Sequence, residues 1–127
     1  MVVTFPSPVT VGGVSVTSGT GSATFSVAGA VVTVNLTGVT DAQRLGVTLM
    51  NVNDGTSTGD VFIPMGVLIG DSIGNGTVNA GDVGFVKSQS GVAVGAGNFR
   101  ADVIVNGTIN AGDIGQVKAN SGHVLPP

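Results

Sequence analysis

The 127-residue chain has no cysteine, no tryptophan and no tyrosine, and its seven acidic residues are all aspartate. The missing cysteine excludes disulfides and thiolate metal sites but says little about compartment. Without Trp or Tyr, a sugar-binding face lacks its usual stacking platforms. Charged residues make up only 9% of the chain, and the four cations, Arg44, Lys87, Arg100 and Lys118, form no run or patch, which argues against a nucleic-acid partner. The longest apolar stretch, residues 61–69, is interrupted by Pro64 and Gly66 and falls far short of the roughly 20 residues a membrane helix needs. The start, MVVTFPSP, has neither a basic beginning nor an apolar run, so it does not read as a signal peptide. Met1 reads as a start placed on a piece of something longer.

What the chain does have is Val, Thr, Ser and 22 glycines, a composition for strands and tight turns. Hydrophobic residues at 42% allow one modest core or two small ones. Over residues 2–69 the apolar period is two. Ala23, Phe25 and Val27 alternate with Thr24 and Ser26, then Val32, Val34 and Leu36 alternate with Thr33 and Asn35 across an Ala28-Gly29-Ala30 turn. Leu45, Val47 and Leu49 repeat the pattern, and Asn53-Asp54-Gly55 is a turn before the strand near residues 61–65. With stretches at 2–5 and 14–17, this makes about six short strands, and the first expectation is an antiparallel immunoglobulin-like β-sandwich over residues 1–69.

Residues 70–122 carry a duplication. Residues 70–91 read GDSIGNGTVNAGDVGFVKSQSG and residues 101–122 read ADVIVNGTINAGDIGQVKANSG, aligned without a gap and about two thirds identical. The shared polar residues are Asp71, Asn75, Thr77, Asn79 and Asp82 in the first copy, and Asp102, Asn106, Thr108, Asn110 and Asp113 in the second. Counted from the first Asp they fall at positions 1, 5, 7, 9 and 12, with Gly76 and Gly107 at position 6. At those offsets an EF-hand loop presents oxygens to calcium, position 7 through its backbone carbonyl. Four of the seven aspartates sit at positions 1 and 12. Position 3, normally a ligand, is Ile73 or Ile104, and position 5 is Asn, so two carboxylates per loop place the expected affinity on the order of 0.1–1 mM. Without an ion, Ile73 and Ile104 are expected in the core. Up to two calcium ions at such affinity would suit an extracellular fluid or a cell surface.

A short helix is expected after each loop, near residues 80–89 and 111–120. Asn79 and Asn110 stand at the N-cap with Asp82 and Asp113 at N3, and Ser-Gly follows each helix. Two glycines in each helix cost about 1 kcal/mol apiece relative to Ala, so these helices must lean on packing. Val83 and Val86, Ile114 and Val117, with Val78 and Ile109, supply a small shared core about a pseudo-two-fold axis.

Two calcium loops in tandem, each followed by one helix and closed by Asp at position 12, resemble a bacterial dockerin domain over residues 70–122. The β-rich half loosely resembles modules found just before such tandems in secreted bacterial proteins. The resemblance implies a non-catalytic module over residues 70–127 that folds around two calcium ions and attaches to a cohesin-like protein partner. Such partners are met through loop positions 10, 11, 17 and 18, here Ala80, Gly81, Lys87 and Ser88, and Ala111, Gly112, Lys118 and Ala119. The lysines fit that role, whereas the Ala-Gly pairs stand where the family commonly has Ser-Thr and equally suit close packing against another element. A tandem that caps the β half, with or without metal, is the structural alternative, and a carbohydrate-binding β-sandwich is another.

Other signals are weaker. Asn35, Asn75 and Asn106 each begin an N-x-Thr triplet, a pattern common by chance. His123, the lone histidine, has no nucleophile or second histidine at a telling distance in sequence. Paired aspartates can do acid–base chemistry, but their repeated loop spacing favours metal ligation, and no enzyme is expected.

Overall fold

The computed structural model describes all residues, Met1–Pro127, and the chain divides into two compact units, Met1–Gly66 and Val67–Pro127. Six strands make up the first, the last ending one residue past its boundary: β1 (Val2–Thr4), β2 (Gly13–Ser18), β3 (Ser22–Ala28), β4 (Val31–Thr37), β5 (Gln43–Asn53) and β6 (Thr58–Val67). They form two three-stranded antiparallel sheets, ordered β1-β4-β3 and β2-β5-β6. The six strands expected from period-two patterning are these six.

The β3–β4 hairpin pairs Ala28 with Val31 and Phe25 with Val34, leaving Gly29-Ala30 as a two-residue loop. Gly29 has φ of +61°, the left-handed backbone such a loop needs at its first position. This register buries Val32 and Val34 of β4, while β5 buries Leu45, Val47 and Leu49. Alternation thus sends one side of each central strand inward. In β2 the register slips between Val16 and Ser18, leaving Thr17 as the extra residue, and its hydroxyl meets that of Thr48 at 2.9 Å. The turn after β5 is tied by the Asp54 carboxylate, which accepts from the N–H groups of Thr56 and Ser57, and by Asn53 Oδ1, which accepts from Gly55 N–H. Those backbone donors hold the exposed Asp54 carboxyl below its ordinary value.

Helices α1 (Ala80–Gln89) and α2 (Ala111–Ala119) occupy the second unit, with a 3-10 turn at Phe99–Ala101 before the second loop. Each starts on a capping box. Asn79 Oδ1 accepts from Gly81 N–H at 2.7 Å while Asp82 Oδ2 accepts from Asn79 N–H at 2.9 Å, and Asn110 with Asp113 repeats both bonds. Val78, Val86, Ala101, Ile109 and Val117 form the core, flanked by Leu68, Val83, Phe85, Val94, Val103 and Ile114. All six apolar residues picked from the repeat take part.

Both copies are knitted to each other symmetrically. Thr77 of the first loop bridges Val124, beyond α2, and Thr108 of the second loop bridges Ala93, beyond α1. Likewise Gly122 N–H donates to Val78 C=O and Gly91 N–H to Ile109 C=O, both at 2.9 Å. Exchanging the copies maps each bond onto the other, so each loop is completed by the segment after the other copy's helix.

Candidate functional site

Each loop is wound around its two aspartates. In the first, Asp71 Oδ1 accepts from the N–H groups of Gly74 and Asn75, and its Oδ2 accepts from Gly76 N–H at 2.8 Å. Asp82, with no exposed surface, accepts from Ile73 N–H at 3.1 Å and the Ser72 hydroxyl on one oxygen, and from Asn79 N–H on the other. Position 1 therefore shapes the first half of the loop, and position 12 joins the loop's start to the helix N-terminus. The second loop repeats the plan with fewer bonds: Asp102 takes Asn106 and Gly107, and Asp113, also fully buried, takes Ile104 and Asn110. Burial alone raises the Asp113 pKa, but the backbone N–H donors of Ile104 and Asn110 outweigh it and hold the carboxyl below its ordinary value. Asp113 is thus an ionised carboxylate in the interior.

The amides at positions 5 and 9 are also engaged. Asn75 Oδ1 accepts from both the N–H and the hydroxyl of Thr77, and Asn79 Nδ2 donates to Thr77 Oγ1. Asn106, Thr108 and Asn110 repeat this chain. The bridge of Thr77 to Val124 runs through Gly76 C=O and Val78 N–H, leaving the Thr77 carbonyl outside it.

This donor set can be tested against a cation. It is all oxygen, as a hard ion requires. Asp71 Oδ2 and Asp82 Oδ2 each carry one hydrogen bond and keep a lone pair, whereas Asn75 Oδ1 is filled until the Thr77 hydroxyl turns away and Asn79 Oδ1 is filled by the Gly81 and Asp82 N–H groups of the capping box. The two carboxylate oxygens and the Thr77 carbonyl, with water making up the rest of the 6–8 that calcium takes, fit a weak site. No buried side-chain polar atom lacks a partner, so the loop is complete in hydrogen bonds. No cluster of three acidic or histidine side chains exists to hold a metal more tightly.

Ile73 and Ile104, at the vacant third position, are 45% and 49% exposed rather than in the core. A Cβ built on Gly81 would lie 3.4 Å from Ile73 Cδ1, and one on Gly112 3.1 Å from Ile104 Cδ1. Each isoleucine therefore lies over the glycine at position 11, so the missing ligand at position 3 and the small residue at position 11 are one local packing arrangement. Ala80, Lys87, Ser88, Ala111, Lys118 and Ala119 are exposed. The structure gathers Lys87 and Lys118 on one open groove of about 450 Å³, with Ala80, Val83, Gly84 and Ser121.

Two participants escaped the sequence reading. The Ser72 hydroxyl reaches Asp82, and Val103 stands in its place in the second copy. Arg100 lies against Gly74, where a Cβ would collide with the guanidinium, and stacks over Phe99 at 5.9 Å. Position 4 of the second loop is Val105, whose side chain is 83% exposed at φ +55°. Comparison with protein-family models, with curated proteins and with solved structures finds no match to this chain.

Proposed function

We propose that the chain is a non-catalytic attachment module working outside the cell: an immunoglobulin-like β-sandwich followed by a dockerin-like pair of EF-hand-like loops, each taking one calcium ion weakly. The observation that supports this best is the repeated loop in which a buried aspartate at position 12 and a second aspartate at position 1 each gather their own backbone N–H donors within one short stretch of chain. Two anions on one small loop repel each other, and a divalent cation relieves that repulsion. The Thr77 carbonyl and the spare lone pairs at positions 1 and 12 supply its oxygens. In this reading, Lys87 and Lys118 on their shared groove receive the protein partner, a cohesin-like domain, with no nucleic acid or membrane involved.

Calorimetric titration of the whole chain with calcium, beside a magnesium control, tests the metal. Up to two sites with Kd on the order of 0.1–1 mM are expected, with magnesium a poor substitute because it resists dehydration. Absence of both heat and thermal shift at about 10 mM calcium, well above that range, rejects the calcium reading.

A further inference from the structure

Both loops contain Asn-Gly, at Asn75-Gly76 and Asn106-Gly107, and both asparagines are exposed. In this dipeptide the glycine nitrogen can attack the asparagine Cγ. A Cγ–N bond forms, the Cγ–Nδ2 bond breaks, and ammonia leaves with the proton from the glycine N–H. Water then opens the resulting succinimide to aspartate or isoaspartate. In the folded loop, however, both reactants are held. Gly76 N–H donates to Asp71 Oδ2 at 2.8 Å and Gly107 N–H to Asp102 Oδ2 at 2.9 Å, while the Asn75 and Asn106 carboxamides accept from Thr77 and Thr108.

Although their Asn-Gly-Thr sequences are the same, the two loops are not held equally. Asp71 binds three backbone N–H groups, including that of Gly74, whereas Asp102 binds two, and Val105 N–H turns instead to the Asp102 main-chain carbonyl. Val105 is β-branched and left-handed at φ +55°, a conformation that favours release, whereas Gly74 adopts φ +74° without that penalty. We infer that Asn106 is a spontaneous deamidation site in the native protein and that Asn75 is its protected twin, with Asp71 and Asp102 restraining the attacking nitrogens. On the calcium reading above, the aspartate product gives the second loop a third carboxylate; the modification itself does not rest on that reading.

The whole chain is aged at mildly alkaline pH with chelator present, folded and in concentrated urea, and each site is followed by peptide mapping. Chelator separates a failure of this inference from a failure of the calcium reading. In urea both sites should modify at comparable rates. In the folded chain both should slow, with Asn106 about tenfold less protected than Asn75, the ratio expected from the left-handed valine. Val105→Gly should restore most of the protection at Asn106 without altering Asn75. Equal protection at the two sites, faster loss at Asn75, or no effect of Val105→Gly overturns the inference.

Discussion

Substituting Asp113 by Asn keeps size and shape but removes the charge and one acceptor oxygen. Asp113 is fully buried and accepts from Ile104 N–H at 3.0 Å and Asn110 N–H at 2.9 Å, one on each oxygen. The new NH2 must face one of those N–H groups, donor against donor, and a buried donor left without an acceptor costs about 1–3 kcal/mol. The surviving bond loses its charge assistance, worth about a further 1 kcal/mol. Asp113→Asn should therefore destabilise by about 2–4 kcal/mol. Set against the ~3–9 kcal/mol expected for a unit the size of Val67–Pro127 at 0.05–0.15 kcal/mol per residue, this is a large share. Asp82→Asn should behave alike, since it faces Ile73 and Asn79 N–H in the same way. Because α1 and α2 both lie in that unit, the helical far-ultraviolet band during urea unfolding reports it selectively. Both variants keeping their stability within about 0.5 kcal/mol of the parent, the range of an ordinary surface change, would refute the idea that position 12 holds the loop.

Acid should act on the same group. Asp113 has its folded pKa held below its ordinary value, so the unfolded chain binds its proton first as pH falls; the stability it contributes is present above the unfolded pKa of about 4 and is lost as pH falls through the folded pKa. Helical ellipticity against pH should decline in that window, and a profile flat down to about pH 2 would contradict it. In the β unit, a Cβ at Gly46 would collide with the Ser18 hydroxyl and lie 2.5 Å from Phe62 Cε2. Gly46→Ala should cost about 1–3 kcal/mol by overpacking, read as a lower urea midpoint for the strands, and a neutral result would mean that Phe62 moves aside freely. Removing the cation at Gly74 by Arg100→Gln should tighten calcium at the first loop about two- to fivefold at low salt and less at high salt, as a screened exposed charge must. An effect independent of salt would point away from Arg100's charge.

The strands and the shared core were legible because their signals are local and periodic. Alternation in residues 31–37 and 43–53 needs only a pleated backbone to send Val32, Val34, Leu45, Val47 and Leu49 inward. The 31-residue repeat likewise fixed the capping boxes, since an N-cap and its N3 partner lie on one turn of chain. Contacts between residues distant in sequence were not legible. Nothing in a one-dimensional spacing places Arg100 on Gly74, or joins Thr77 to Val124 and Thr108 to Ala93. The isoleucines show the same limit. A ligand template reads Ile73 only as a missing oxygen and Gly81 only as a weak helix residue, and neither reading connects them. In three dimensions the glycine at position 11 leaves the space that the isoleucine at position 3 covers, in both copies. Replacing Ile73 by Asp to restore the absent ligand therefore also uncovers Gly81, so the gain in calcium affinity should come with a looser helix start before the ion arrives. Adding Gly81→Ala should not recover that start: its methyl would lie 3.0 Å from Asn79 Oδ1 and crowd the oxygen that caps the helix, offsetting the gain in helix propensity, and helical ellipticity of the double variant in chelator above that of Ile73→Asp alone would refute this.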